Sequence, residues 1–567
     1  MRAKTIKMTL VLGCILGALL SVSVRASVEP GLAAHMERIS KPQLLRVGER
    51  IHWALYYDYS NFGFIEGETS IIAIDCGWWP GATEKAMAEL RKRTNKPVRY
   101  IIYTHGHADH LGGCSAIADR DAVEIYASDE YERYRDEMVS SRLLFIQRRA
   151  TDQMGLLLPR GPEGSVGAGA GPGFYNGKAA YFPPTNLVPP DTDFVLDGVR
   201  IVLIPTPVDI DDAVSVYLPD ERVLFPGDAL IGVGPVVATP RQEKGRDPYL
   251  WMQSLDLLTK VPFDAVLSGH GPAYLDGNRG RLAMERARDT IQHIIDHVVR
   301  GLNAKVPRED IISSLRLPPE LESDPDLGWY YHSLQWVARG VYTNFAGWYT
   351  DDIRDLFEID PDDEARLLVQ ALGGTEAALA VAQKNMLAGE VDFAGRLLAQ
   401  ILRVAPQNPQ VLNAAAEALE QGAYAESSSS RRNYMLMEAY TLRQRYDRSA
   451  ARPFVDVLSL LRTVPTERLL ANLTPRLKAD TDPNIEKRLT LIISDRNEKY
   501  SLHIRRGVLR IVEGVEVPDS AQVAVHADDI VYFALGVPGA RDTLTQGRSE
   551  TSDIDAAAAA DFFSHLE

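Results

Sequence analysis

The sequence predicts an α/β domain rich in sheet, followed by an all-α region and a smaller α+β domain, and three observations carry that reading. From about Leu44 to Gly280, short apolar runs such as VRYIIYT (98–104), FVLDGVRIVLIPT (194–206) and ERVLFPGD (221–228) alternate with amphipathic stretches, the pattern of strands interleaved with helices. From about Met284 to Arg445, alanine, leucine and charged residues recur at three-to-four spacing with few strand signals. After Arg452 a helical lead, FVDVLSLLRTV, gives way to the strand-like runs RLTLIISD, YSLHIRRGVLRIVEG and AQVAVH, then to an amphipathic DDIVYFALG.

A chain of 567 residues is too long for one hydrophobic core, and the boundaries expected are 1–26, 27–295, 296–448 and 449–567. The first of these reads as a signal peptide. Arg2, Lys4 and Lys7 precede an apolar run from Met8 to about Val24, and small residues surround a cut after Ala26. That run is shorter than the roughly 20 residues of a spanning helix, so no stable membrane span is expected once it is removed. The location expected is periplasmic or secreted.

Cleavage there also removes Arg2, Lys4, Lys7 and Arg25, which makes the formal net charge of −16 more negative by four. Such a surface repels nucleic acid, and an anionic substrate would need a locally positive pocket. Only Cys76 and Cys114 remain, so disulfides are not what holds the fold together, although one bridge is geometrically open.

Within the first domain the segment RGPEGSVGAGAGPGFYNG (160–177) is a long glycine-rich loop, expected to overhang a site. In the helical region, residues 375–421 read as a helix, a break at Gly389, a second helix, a turn at Pro406 and Pro409, and a third helix. This resembles one tetratricopeptide-like unit, which cannot cover its own apolar face and needs the first domain or a second subunit. The tail from Arg541, with its run Ala556 to Ala560, is open between loose and helical.

The chemistry concentrates in YTHGHADHLGG, where His105, His107, Asp109 and His110 follow directly on a strand-like run. Four such side chains on consecutive turns cannot all reach one tetrahedral ion. The economical reading is a pair of metals about 3.5–4 Å apart, and imidazole with carboxylate suits zinc. The bland alternative is a surface histidine cluster without metal. Asp75, ending the run SIIAID, is a candidate to orient an imidazole, or else a simple strand-end turn former.

The HGHADH segment resembles the His-x-His-x-Asp-His signature of the metallo-β-lactamase superfamily, whose fold is an αββα sandwich. Downstream, TPVD (206–209), LFPGD (224–228) and LSGHG (267–271) resemble later ligand turns of that superfamily. The resemblance implies that His105, His107 and Asp209 hold one zinc and that Asp109, His110 and His270 hold the other. Asp228 would bridge both, and Asp109 and Asp228 would serve catalysis through a metal-bridging hydroxide.

Several stretches resemble one branch, the secreted alkylsulfatases: RRATDQMGLLLPRGPEGSVGAGAG (148–171), ARGVYTNFAGWYTDD (338–352) and residues 389–443. The last hundred residues are similar to their sterol-carrier-protein-like domain. What this implies is a hydrolase of alkyl sulfate esters or similar amphiphilic esters, with two zinc ions per chain, working as a homodimer through the helical domain. Arg241, thirteen residues after Asp228, stands where those enzymes hold sulfate, and a guanidinium suits a tetrahedral oxyanion. It is otherwise a solvated loop arginine.

The chain departs from that branch in carrying aspartate at 209 and 228, where glutamate is usual, and Met154 where a tyrosine often faces the sulfate. These departures keep open a carboxylic ester, lactone or β-lactam as substrate, and an amphiphile-binding protein with a vestigial metal site. The bond broken, the native substrate and the metal in vivo also stay open.

Overall fold

A computed structural model describes residues 26–139, 143–173, 179–241, 246–445, 460–518, 520–537, 539–546 and 556–566. The signal peptide expected over 1–26 lies outside the described residues apart from Ala26, and so does the first half of FVDVLSLLRTV. Among the described residues no helix is long and apolar enough to cross a membrane.

Two sheets form the first unit. Strands β1 (Gln43–Val47), β2 (Ile51–Leu55), β3 (Phe62–Glu66), β4 (Ile71–Ile74), β5 (Val98–Ile102), β6 (Glu124–Ser128) and β7 (Asn186–Val188) lie side by side in chain order. Pairing is antiparallel from β1 to β4 and parallel from β4 to β7.

The second sheet runs in reverse order through β13 (Ala273–Tyr274), β12 (Ala265–Leu267), β11 (Val223–Phe225), β10 (Val214–Leu218), β9 (Val199–Pro205) and β8 (Asp193–Leu196). Only β11 and β12 pair in parallel here.

Alternation decides what each sheet buries. In β9, Val199, Ile201 and Leu203 are buried while Arg200 is exposed, because neighbouring side chains on a strand leave opposite faces. Those residues meet Trp53, Ile72, Ile74 and Ile102 of the first sheet in one core. The Trp53 ring lies 5.4 Å from that of Phe225 across it. The outer face of the first sheet, with Phe62, Phe64 and Ile101, is covered by the helix Pro80–Leu90. Tyr217, Leu224 and Val266 on the outer face of the second are covered by the helices Pro248–Leu258 and Gly277–Asn303. The layers are therefore αββα. The helix Gly277–Asn303 runs unbroken through residue 295 into the helical region.

That region contains Leu334–Ala346, Pro361–Ala371, Thr375–Leu387, Val391–Val404, Pro409–Tyr424 and Ser429–Leu442. Gly389 separates two of them at φ +85°, a left-handed backbone that favours glycine. The Asn408 side chain caps the next helix, which Pro409 opens. The last unit is a four-stranded sheet, β16 (Val508–Glu513), β15 (Glu498–Arg505), β14 (Lys487–Ile493), β17 (Gln522–Val525), with helices Ala527–Ala534, Ala540–Gln546 and Ala556–Ser564. The tail left open between loose and helical is thus partly helical. Val139 of the first unit is buried in this last unit's core, and its carbonyl accepts from Asn472 Nδ2 at 2.7 Å.

Candidate metal centre

The candidate ligands all leave strand ends on one edge of the sandwich. His105, His107, Asp109 and His110 follow β5, Asp209 follows β9, Asp228 follows β11 and His270 follows β12. Parallel strands carry their following loops to the same edge, which is why four segments far apart in the chain meet. The glycines after the signature are a packing requirement: a Cβ on Gly112 would run into the Trp78 carbonyl, and one on Gly113 into that of Cys76. Cys76 and Cys114 are joined in a disulfide there, so the bridge left open by the sequence is formed.

Two groups of donor atoms result, each with its atoms within 4.8 Å of one another: His105, His107, Asp209 and Asp228, and Asp109, His110 and His270. Asp228 faces both groups. Its Oδ2 lies 3.7 Å from His105 Nε2, while Oδ1 lies 3.3 Å from His110 Nε2 and 3.5 Å from His270 Nε2. His107 Nδ1 is 3.1 Å from Asp209 Oδ2, and His270 Nε2 is 3.2 Å from Asp109 Oδ2.

Among the described residues, buried Asp209 Oδ1, Asp228 Oδ1 and His110 Nε2 have no hydrogen-bond partner. Buried polar atoms are normally satisfied. A set of imidazoles and carboxylates turned inward with orphaned ligand atoms fits divalent cations, and zinc in particular.

The surroundings orient these ligands. Asp75 accepts from the Thr104 N–H and hydroxyl through one oxygen each, both at 2.8 Å, and its Oδ2 lies 2.8 Å from His110 Nδ1. His270 Nδ1 donates to the Tyr59 carbonyl at 2.9 Å, which turns Nε2 toward the centre. Burial opposes a charge on His110, but Asp228, Asp75 and Asp109 outweigh it and raise its pKa. Burial also resists ionisation of Asp228, yet His270, His110 and His105 hold its carboxyl well below the usual range. Burial, with the neighbouring His110, brings His105 down to about 4, and burial with Asp209 pushes Asp212 up to about 8 against the pull of His107. The centre is dense in negative charge screened from water.

A cleft of about 370 Å³ opens onto it, lined by Tyr59, Tyr331, Arg241, Arg246, Ile231 and Trp251 together with the ligand side chains. Arg241 is therefore in the cleft and not out in solvent. Arg246, which no sequence pattern singled out, donates to the Val236 carbonyl at 2.6 Å and lies 3.4 Å from Asp209 Oδ2. Tyr59 and Tyr331 were also missed. No local pattern marks them, because each reaches the cleft only through tertiary packing.

Met154 is 2% exposed and packs in the core instead of lining the cleft. The glycine-rich loop does reach the cleft, at Ala170. It is pinned by Arg432 to the Pro162 carbonyl, by Asn433 to that of Gly167 at 3.2 Å, and by His35 to that of Gly169 at 2.6 Å.

Residues 55–270 match the metallo-beta-lactamase superfamily, and residues 308–445 match the alkyl sulfatase dimerisation family. The chain carries a metallo-beta-lactamase domain followed by an alkyl sulfatase dimerisation domain. It is 28% identical over 469 residues to a linear primary-alkylsulfatase from Pseudomonas sp., covering 80% of this chain and 88% of the relative. To the alkyl/aryl-sulfatase BDS1 of Saccharomyces cerevisiae it is 29% identical over 436 residues, covering 74% and 66%. The solved stereoselective inverting sec-alkylsulfatase of Pseudomonas sp. superposes with a TM-score of 0.81 at 22% identity, over 96% of this chain and 88% of that one. That likeness extends the shared fold through all three units.

Proposed function

We propose that this chain is a binuclear zinc hydrolase of alkyl sulfate esters or closely similar amphiphilic esters. The observation that carries the reading is a ring of seven ligand side chains with a guanidinium, Arg241, facing them across the cleft. His105, His107 and Asp209 would hold one zinc, Asp109, His110 and His270 the other, and Asp228 both. When bound, the two ions would supply Lewis acidity and a bridging hydroxide at neutral pH, through coordinated water whose pKa falls to about 7.

The protein's own groups set the rest. Arg241 offers a sulfate two parallel donors and offsets a strongly acidic surface. Ile231, Val236 and Trp251 form an apolar wall for the first carbons of the chain and keep water from the ester. Asp75 keeps His110 in the tautomer that presents Nε2, and Arg246 steadies Asp209, whose short side chain leaves it little reach of its own.

Several further readings go with this one. The chain works as a homodimer through its helical unit. That unit exposes Trp348 at 80%, Ile353 at 70%, Leu356 at 67% and Phe357 at 72%, apolar surface that a monomer would leave in water. The last unit is sterol-carrier-protein-like and delivers the aliphatic part of the substrate, and the protein is periplasmic or secreted.

The test is octyl and dodecyl sulfate hydrolysis before and after chelation, with zinc counted by elemental analysis. Zinc-dependent sulfate release at about two zinc ions per chain is expected. Turnover restricted to carboxylic esters or a chromogenic cephalosporin would move the substrate class, and zinc-free binding of fatty chains without turnover would end the enzyme reading.

A further inference from the structure

Gln153 sits at the end of the helix Leu143–Met154 and is wholly buried. Its side-chain amide is held at both ends: Oε1 accepts from the Thr239 hydroxyl at 2.9 Å, and Nε2 donates to the Tyr331 hydroxyl oxygen at 2.8 Å. Its own carbonyl accepts from Asn433 Nδ2 at 3.0 Å, so the helix Ser429–Leu442 of the helical unit fixes its backbone as well. The Tyr59 and Tyr331 rings meet edge-on with centroids 6.3 Å apart, and their hydroxyls interact. A phenol has one proton to give and an oxygen that accepts. With that oxygen accepting from Gln153, the Tyr331 proton is what it has to give, and Tyr331 lines the cleft beside Arg241.

We infer that Gln153 is a positioning residue that aims the Tyr331 O–H at the anionic head of the substrate, and that Asn433 extends this control to the helical unit. The inference rests on the reading of the cleft as a sulfate-ester site. A carboxylate at 153 reverses the bond, because an ionised carboxylate only accepts and so takes the Tyr331 proton for itself. The titratable and charged groups facing Tyr331 are Tyr59, Arg241, Arg246, Asp109, Tyr434 and His332, whose ring stacks on it at 4.1 Å. All are shared with the parent and cancel in variant-to-parent ratios.

The test uses the zinc-loaded full chain, with octyl sulfate turnover and octyl sulfonate binding by calorimetry, on the parent, Gln153→Glu, Gln153→Met and Tyr331→Phe. At pH 8, Gln153→Glu is expected to raise KM and the sulfonate Kd about ten-fold, with kcat within about three-fold, as for the loss of one hydrogen bond to a charged group. Burial raises the pKa of a carboxyl, so as the pH falls toward 5 the introduced group protonates and donates again, and the ratio returns toward one.

Gln153→Met, which adds no charge, weakens binding to a similar degree at every pH. Combining Gln153→Glu with Tyr331→Phe adds nothing to Tyr331→Phe alone at pH 8. An active parent whose Gln153→Glu and Gln153→Met variants keep the parental KM and Kd overturns the inference alone. A parent that neither hydrolyses octyl sulfate nor binds the sulfonate overturns the reading of the site with it.

Discussion

Asp58 accepts the backbone N–H groups of Tyr59, Trp78 and Trp79 at 2.7, 2.8 and 2.7 Å, which fixes the turn between β4 and the helix Pro80–Leu90. Burial nevertheless pushes its carboxyl up to about 7. A raised carboxyl binds its proton more tightly folded than unfolded, so its contribution to stability is fully present below about pH 4 and is lost as the pH rises toward 7. Urea unfolding across that range should show the parent losing stability relative to Asp58→Asn, and a pH-independent difference would contradict it. At the ligands, Asp228→Ala is expected to lower bound zinc from about two to below one per chain, because one oxygen faces each donor group. His270→Ala touches one group only and should keep about one zinc by elemental analysis. The signature residues were legible because their spacing is dense and local, and Asp228 was legible only through the resemblance of LFPGD to a ligand turn of the superfamily. Asp58, Tyr59 and Tyr331 were not, since their roles lie in backbone and hydroxyl contacts that no spacing encodes.

At the scale of elements, the loop after β5 is clamped where it carries His110. Cys76 N donates to the His110 carbonyl at 2.8 Å, Gly113 N donates to that of Gly77 at 3.0 Å, and the Cys76–Cys114 bridge closes a separation of 38 residues. Loop-closure entropy assigns such a crosslink about 4 kcal/mol, with engineered cases often delivering less. Replacing both cysteines with serine should lower the unfolding free energy by about 2–4 kcal/mol and weaken zinc retention during dialysis against a chelator. Unchanged retention would show that the backbone bonds alone hold the ligand loop. Helix ends such as Gly389 and Pro409 were readable because the physics of a cap is local. Strands as short as β12 and β13, with three and two residues, carry too little pattern to be placed in advance.

At the scale of the whole molecule, the helical unit touches the site from one side and exposes a broad apolar surface on another. Arg432 and Asn433 reach the glycine-rich loop, while Trp348, Ile353, Leu356 and Phe357 stand in solvent. Placing charges at Ile353 and Phe357, as Ile353→Asp with Phe357→Asp, is expected to convert a dimer to a monomer by sedimentation velocity. Secondary structure should be unchanged, because neither side chain is buried in a core. A dimer that survives would place the interface elsewhere on the unit.

Three kinds of texture and a metal signature follow from local chemistry: period, cap, and the density of ligand atom types along a few residues; the downstream turns came from family resemblance. Those the linear chain determined by itself. That Asp75 serves His110, that Arg246 braces Asp209, and that Gln153 of one unit and Asn433 of another share the support of Tyr331 were decided only when parallel strands delivered distant loops to one edge and buried polar groups had to find partners there. Such partnerships depend on distances through space between residues 35 to 280 positions apart, which the order of residues does not contain.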